Sequence, residues 1–171
     1  MVLWLLGISG AGKSTLGNKL KEYCDQTNKK SWVIDGDSIR SFFDNDLGFE
    51  REDRMQNIKR IILAAHVLSE NGIIAIVCNI SPFEELRQLA RKKITGYNQI
   101  YLKKKLDTSR RDDVKEVYKN HTGKTPVVGI DLQFDEPQNS DLVLDIENET
   151  VDQSLQKIKT HLKKKFPEDF S

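Results

Sequence analysis

Two short stretches carry the residue types and spacings that could do phosphate chemistry. The first is "WLLGISGAGKST", residues 4–15, in which Gly7, four residues, Gly12, Lys13 and Ser14 satisfy G-x-x-x-x-G-K-[ST] with nothing missing. In such a loop the glycines let backbone N–H groups curl round an anion, and the positive end of the following helix faces the same charge. The stretch from Gly7 through Ser9, Gly10, Ala11, Gly12, Lys13, Ser14 and Thr15 is therefore expected to cradle the phosphates of ATP. Lys13 would neutralise the β- and γ-phosphates, and the Ser14 hydroxyl would hold Mg²⁺. The competing reading is a chance match in a glycine-rich turn. An apolar strand before the loop and a plausible helix, "STLGNKLKEYC", after it argue against chance.

The second stretch is "VIDGDSIR", which places Asp35, Asp37 and Arg40 at the carboxyl end of the next apolar run. In open α/β sheets that edge is where ligands bind. Two carboxylates around a glycine can divide the work: Asp35 beside Mg²⁺, and Asp37 accepting a proton from an attacking hydroxyl. The plainer alternative is that Asp37 only caps the helix of "SIRSFF". A phosphate loop alone also fits a nucleotide switch or motor. The chain has neither the N-K-x-D nor the D-x-x-G of a GTPase, and its third apolar run, "IIAIVCNISP", ends in Cys78 and Asn79 rather than in an acidic residue. The carboxylates sit after the second run instead, which favours a small-molecule kinase.

These groups need a scaffold, and the pattern supplies one. "VLWLL" (2–6), "SWVID" (31–35), "IIAIVC" (73–78), "QIYL" (99–102) and "LVLD" (142–145) are short, branched or aromatic, and apolar on both faces. Such runs are what parallel strands covered by helices look like. Between them, residues from about Arg51 to Ser69 show Met55, Ile58, Ile62 and Ala65 at helical spacing and stop at Asn71-Gly72. "SPFE" (81–84) reads as a Ser81 N-cap, Pro82 at the first helical position and Glu84 closing a capping box. "TVDQ" (150–153) repeats the box, with Val151, Leu155, Ile158 and Leu162 forming one stripe behind it. The expected fold is a three-layer α/β P-loop kinase, one domain over 1–171, with a mainly parallel five-stranded sheet. Its weakly periodic segment, about 104–130, is expected to be a lid.

The chain's 171 residues carry 27 basic and 26 acidic side chains, so no strong field draws it to nucleic acid or membrane. The "KKK" runs at 103–105 and 163–165 read as solvated faces. No apolar run reaches membrane-spanning length, the first residues lack a signal-peptide pattern, and the cytoplasm is the expected setting. Cys24 and Cys78 are too few for a disulfide framework or a structural zinc site, and Cys78 reads as a small core residue.

Taken together, "GISGAGKST", "IDGDSIR", "DLGFEREDRMQNIKR", "ISP" and "GID…EP" resemble adenylylsulfate (APS) kinases in order and spacing, over residues 2 to about 100 and again from about 129 to 160. The resemblance implies an ATP- and Mg²⁺-dependent kinase acting on the 3′-hydroxyl of adenosine 5′-phosphosulfate, in a domain that commonly dimerises. It implies that Asp37 faces the ribose 3′-hydroxyl and that Arg40, Arg54 and Asn57 hold the anionic 5′ tail. Phe49 would stack on the acceptor base, and Ile80, Lys115 and Val127 would also meet the acceptor. Ser81 matches a serine proposed to form a phospho-enzyme; the alternative is the helix cap named above. The departures concentrate around the base. The lid reads "RRDDVKEVY" where the family has R-D-x-K-G-L-Y, "VVG" replaces F-T-G so that Val127 stands where an aromatic is expected, and Phe83-Glu84 replaces Tyr-Arg. Losing half of an aromatic sandwich costs about 1–3 kcal/mol of stacking. Adenylyl sulfate and cytidine diphosphoramidate, the acceptor of divergent relatives in capsule synthesis, both remain open from the sequence.

Overall fold

The computed structural model describes residues 1–111, 118, 122 and 125–170. Five strands, β1 (Val2–Leu6), β2 (Ser31–Asp35), β3 (Ile74–Cys78), β4 (Tyr97–Lys103) and β5 (Leu142–Asp145), form one parallel sheet in the order β2-β3-β1-β4-β5. Among the described residues six helices follow or join them: α1 (Lys13–Gln26), α2 (Gly36–Phe42), α3 (Arg51–Glu70), α4 (Glu84–Lys93), α5 (Leu106–Arg111) and α6 (Val151–Lys165). The expected strands stand within two residues of their positions.

Strand β1 is the centre of the sheet, and its side chains explain why. Val2, Trp4 and Leu6 enter one core with Ile58, Ile61 and Ala65 of α3 and Leu86 and Ala90 of α4. Leu3 and Leu5 enter the other, with Leu16 and Leu20 of α1 and Ile158 and Leu162 of α6. A strand that is apolar on both faces is stable only between two helical layers. Strands β1 and β4 are neighbours, yet their connections run to opposite edges of the sheet. Their carboxyl ends therefore flank the crevice in which such sheets bind ligands.

The helix ends both confirm and correct the sequence pattern. Helix α3 ends at Asn71, and Gly72 follows at φ 72, the left-handed stop that glycine permits. Thr150 and Gln153 form the expected reciprocal box at the start of α6, although Val151 behind it stays 40 % exposed. The box expected at Ser81 does not form. Phe83 occupies the N-cap of α4 with no side-chain bond, and Pro82 precedes the helix. The Ser81 hydroxyl instead accepts a hydrogen bond of 2.8 Å from the indole N–H of Trp4 in the core. A buried indole N–H needs an acceptor, and that need outweighs a local cap. The cap of α2 is Asp35, not Asp37: its carboxylate accepts from the Asp37 N–H at 2.9 Å.

The segment expected to be a lid begins with the six-residue α5 and returns at residues 125–130, where Val128 pairs with Leu132. Lys115 lies outside the described residues. No helix among those described is long and apolar enough to cross a membrane.

Candidate active site

The phosphate loop leaves β1 at Gly7, whose backbone passes so close to β4 that a Cβ there would stand 2.5 Å from the carbonyl oxygen of Leu102. Gly12, at φ 84, is the left-handed N-cap of α1, so only glycine turns the chain there without strain. The α1 N-terminus opens directly onto the loop. The Lys13 ammonium reaches back to donate to the carbonyls of Gly7 (2.9 Å) and Ile8 (2.8 Å). Ser9, Gly10, Gly12, Lys13, Ser14 and Thr15 line a cavity of about 540 Å³. Gly7 and Ala11 do not line it: Gly7 shapes the loop from below, and Ala11 is packed in the core beside Leu16.

The same cavity receives the end of β2. The Ser14 hydroxyl donates to the Asp35 carboxylate at 2.9 Å, which brings together the two oxygens expected to meet Mg²⁺. Both are hard donors, and Mg²⁺ commonly uses one or two protein oxygens plus phosphate oxygens and water. The pair therefore fits the ion. No group of three or more metal-binding side chains exists among the described residues, so an all-protein metal cage is not formed there. Asp37 stands in the first turn of α2 at the cavity wall, two residues beyond the cap.

The far wall is basic and aromatic. Arg40 is 7 % exposed and donates to the carbonyls of Leu47 (3.1 Å) and Gly48 (2.6 Å), which fold the 43–50 turn around it. Arg54 donates to the Phe49 carbonyl and, across the cavity, to the carbonyl of Pro126, both at 2.7 Å. The two guanidinium groups lie 4.6 and 5.3 Å from the centre of the Phe49 ring, which remains 41 % exposed. Burial holds the Arg54 guanidinium down to about 10, with the nearby Arg40 charge acting in the same direction. Burial also lowers that of Arg40. Two cations depressed in this way gain from an anion placed between them.

Asn57 is 3 % exposed; its Nδ2 donates to the Gly36 carbonyl at 3.1 Å, while its Oδ1 is buried with no partner. An orphaned acceptor on a cavity wall is satisfied by a ligand donor or by water. Ile80 and Val127 complete the lining, and the structure thus brings together all the expected acceptor residues it describes except Ser81, which is turned into the core. Sequence reasoning missed Asn79, Pro82 and the Pro126 carbonyl. Asn79 follows the β3 carboxyl end directly, and that position was the available signal; nothing local marks the other two.

A second, larger cavity of about 770 Å³ opens on the other side of the loop, lined by Ile8, Tyr101, Leu132, Phe134, Asp145 and Glu147 among others. Lys103, Lys104 and Lys105 also line it, with Lys103 and Lys105 exposed to solvent as expected of that run. Lys103 pairs with Glu136 at 3.4 Å, Lys105 with Glu147 at 3.8 Å, and Lys104 donates to the Gly10 carbonyl of the phosphate loop at 3.3 Å.

The family model for adenylylsulphate kinase matches residues 1–145. The chain belongs to the adenylylsulphate kinase family. It is 34 % identical over 160 residues to the adenylyl-sulfate kinase of Picosynechococcus, covering 92 % of this chain and 90 % of that one. To a probable adenylyl-sulfate kinase of Bacillus subtilis it is 40 % identical over 148 residues, 84 % of this chain and 75 % of the other. Among solved structures, the Mycobacterium tuberculosis APS kinase in complex with AMPPNP and APS superposes with a TM-score of 0.88 at 30 % identity, covering 95 % of this chain and 96 % of that one. The fold is that of a P-loop kinase, and membership of the adenylylsulphate kinase family makes the phosphate loop a nucleotide-binding element of a kinase.

Proposed function

We propose that this chain transfers the γ-phosphate of ATP to the ribose 3′-hydroxyl of a nucleotide carrying a 5′ diphosphate-like tail, with adenylyl sulfate as the acceptor. The observation that carries the reading is one cavity in which the phosphate loop, Asp37 and the Arg40–Phe49–Arg54 group face each other. The relative that was crystallised with both an ATP analogue and APS supports it.

The donor's phosphates lie along Ser9–Thr15, with Lys13 released from the Gly7 and Ile8 carbonyls to meet the β- and γ-phosphates. The donor's nucleoside extends into the larger cavity, leaving the γ-phosphate pointing toward β2. Ser14 and Asp35 would hold Mg²⁺, which when bound spreads the charge that develops on the transferred group. Asp37 accepts the proton of the 3′-hydroxyl as that oxygen attacks in line. Arg40 and Arg54 hold the tail, Asn57 Oδ1 accepts from the acceptor, and the exposed face of Phe49 stacks on the base. Ser81 is 1 % exposed and its hydroxyl is engaged by Trp4, which supports direct transfer without a phospho-enzyme. The family resemblance further supports a homodimer.

One observation favours a second acceptor, cytidine diphosphoramidate. Val127, 7 % exposed, gives the cavity that Phe49 also lines an aliphatic residue where the family has a second aromatic. The tail-binding groups do not depend on that wall; base choice does. The deciding experiment is an ADP-release assay with ATP and Mg²⁺ that offers both acceptors in parallel. Turnover of adenylyl sulfate with kcat/KM of about 10⁴ M⁻¹s⁻¹ or more establishes the first reading, and turnover of the cytidine compound alone establishes the second. Turnover of neither overturns both acceptor readings.

A further inference from the structure

Arg87 of α4 lines neither cavity and, at 2 % exposed, is the most deeply buried charged side chain among the described residues. A guanidinium is costly to bury, so each of its bonds has to be accounted for. Nε and Nη2 both donate to the Glu84 carboxylate one turn earlier, Nε at 2.9 Å. Nη1 donates to the carbonyl of Ser81 at 2.7 Å, and Nη2 also donates to the carbonyl of Asp135 at 2.6 Å. The Glu84 pair neutralises the charge, and the two carbonyls give it direction.

Those carbonyls belong to different walls. Ser81 lies between Ile80 and Pro82, which line the acceptor cavity, and Asp135 lies between Phe134 and Glu136, which line the larger one. Ser81 also sits at φ 49, a left-handed conformation that disfavours any residue with a side chain. It is held there from three directions: by Arg87 on its carbonyl, by Trp4 on its hydroxyl, and by the Asn79 side chain accepting from its N–H at 3.2 Å. Asp135 adds further ties, its N–H to the Pro82 carbonyl at 2.9 Å and its carboxylate to the Glu84 N–H at 3.1 Å.

We propose that Arg87 is a positioning residue: from beneath the site it fixes the strained Asn79–Pro82 turn against the 131–136 segment, and so sets the wall on which the acceptor nucleotide rests. The proposal relies on the acceptor reading above. Arg87 touches neither substrate; it acts through the backbone of Ser81. Its planar fork reaches two carbonyls and a carboxylate at once, and a lysine ammonium, a point charge on a flexible stem, cannot hold the same three in fixed directions.

The test uses the full chain with Trp32, the exposed one of its two tryptophans, replaced by Phe, so that Trp4 alone reports on the turn. Arg87→Met and Arg87→Lys are compared with this parent below their melting temperatures. Arg87→Met is expected to raise the acceptor KM about tenfold or more, to leave the ATP KM within about threefold, and to increase acrylamide quenching of Trp4 at least twofold. Arg87→Lys is expected to recover part of each effect, and it carries the test alone if Arg87→Met does not fold. Folded variants with parental acceptor kinetics overturn the proposal, whether or not quenching changes. If the parent turns over no acceptor, the kinase reading fails, and unchanged quenching would then sink the strut as well.

Discussion

At the scale of single residues the site divides into groups that hold charge and one group that moves a proton. Lys13→Ala should reduce kcat/KM by at least about 10²-fold, because a cation opposite developing phosphate charge has no substitute in the loop. Asp37→Asn should lower kcat by about 10²–10⁴-fold, the range of general-base contributions, while ATP affinity measured by calorimetry stays near the parental value. Full activity in the Asn variant would remove Asp37 from the base role. Ser81→Ala is the contrasting case. It strands the buried Trp4 N–H and should cost about 1–3 kcal/mol of stability in urea titrations, but its kcat should fall by no more than about tenfold. A loss of several orders of magnitude would restore the phospho-enzyme. The phosphate loop and the two aspartates were legible in the sequence because each is defined by local spacing. The Ser81 partner was not: Trp4 lies 77 positions away, and only the packed core brings its N–H to the Ser81 hydroxyl. Arg87 was equally silent, one arginine in a charged helix until its bond to the Asp135 carbonyl, 48 positions away, is seen.

At the scale of elements, the strands were readable because burial on both faces leaves little choice of residue. Helix α5 was not readable, being six residues long and highly charged. The sheet also imposes a requirement on α1 that no motif announces. Gly17 faces the end of β3 so closely that a Cβ would lie 2.3 Å from the Cys78 Sγ. This contact sets how near α1, and with it Lys13 and Ser14, can approach the sheet. Gly17→Ala should destabilise the protein by about 1–3 kcal/mol through overpacking, lowering Tm by about 2–4 °C for each kcal/mol in a chain of this size. The double variant Gly17→Ala, Cys78→Ala removes the sulfur and should recover part of the loss. Strict additivity of the two single effects in a double-mutant cycle would show that the contact is not the cause.

At the scale of the whole molecule, two buried thiols and two buried tyrosines connect the closed core to pH. Burial pushes the Cys78 thiol from 9.0 up to about 12 and raises that of Cys24. The Tyr101 phenol is pushed from 10.0 up to about 12, and Tyr97 is raised as well, again by burial. In each case the folded chain keeps a proton that the unfolded chain gives up. The stabilisation is complete below the unfolded pKa and is lost as pH rises from there toward the folded value. Arg54 runs the other way: its folded value of about 10 lies below 12.5, so above pH 10 its deprotonation favours the fold and partly offsets the tyrosines. Between pH 9 and 10 each phenol contributes less than a thiol, and Arg54 partly offsets the phenols, which leaves the thiols as the main contribution to be measured. The unfolding free energy should fall there by about 1 kcal/mol through Cys78, with Cys24 acting in the same direction. In Cys78→Ala that interval should flatten by about the same amount, whatever the substitution does to stability at pH 7. Cys78 lines the acceptor cavity, so the result also reports on the site: an unchanged slope in the Ala variant would mean that water already reaches the sulfur, and that the cavity floor between β3 and the phosphate loop is open rather than packed.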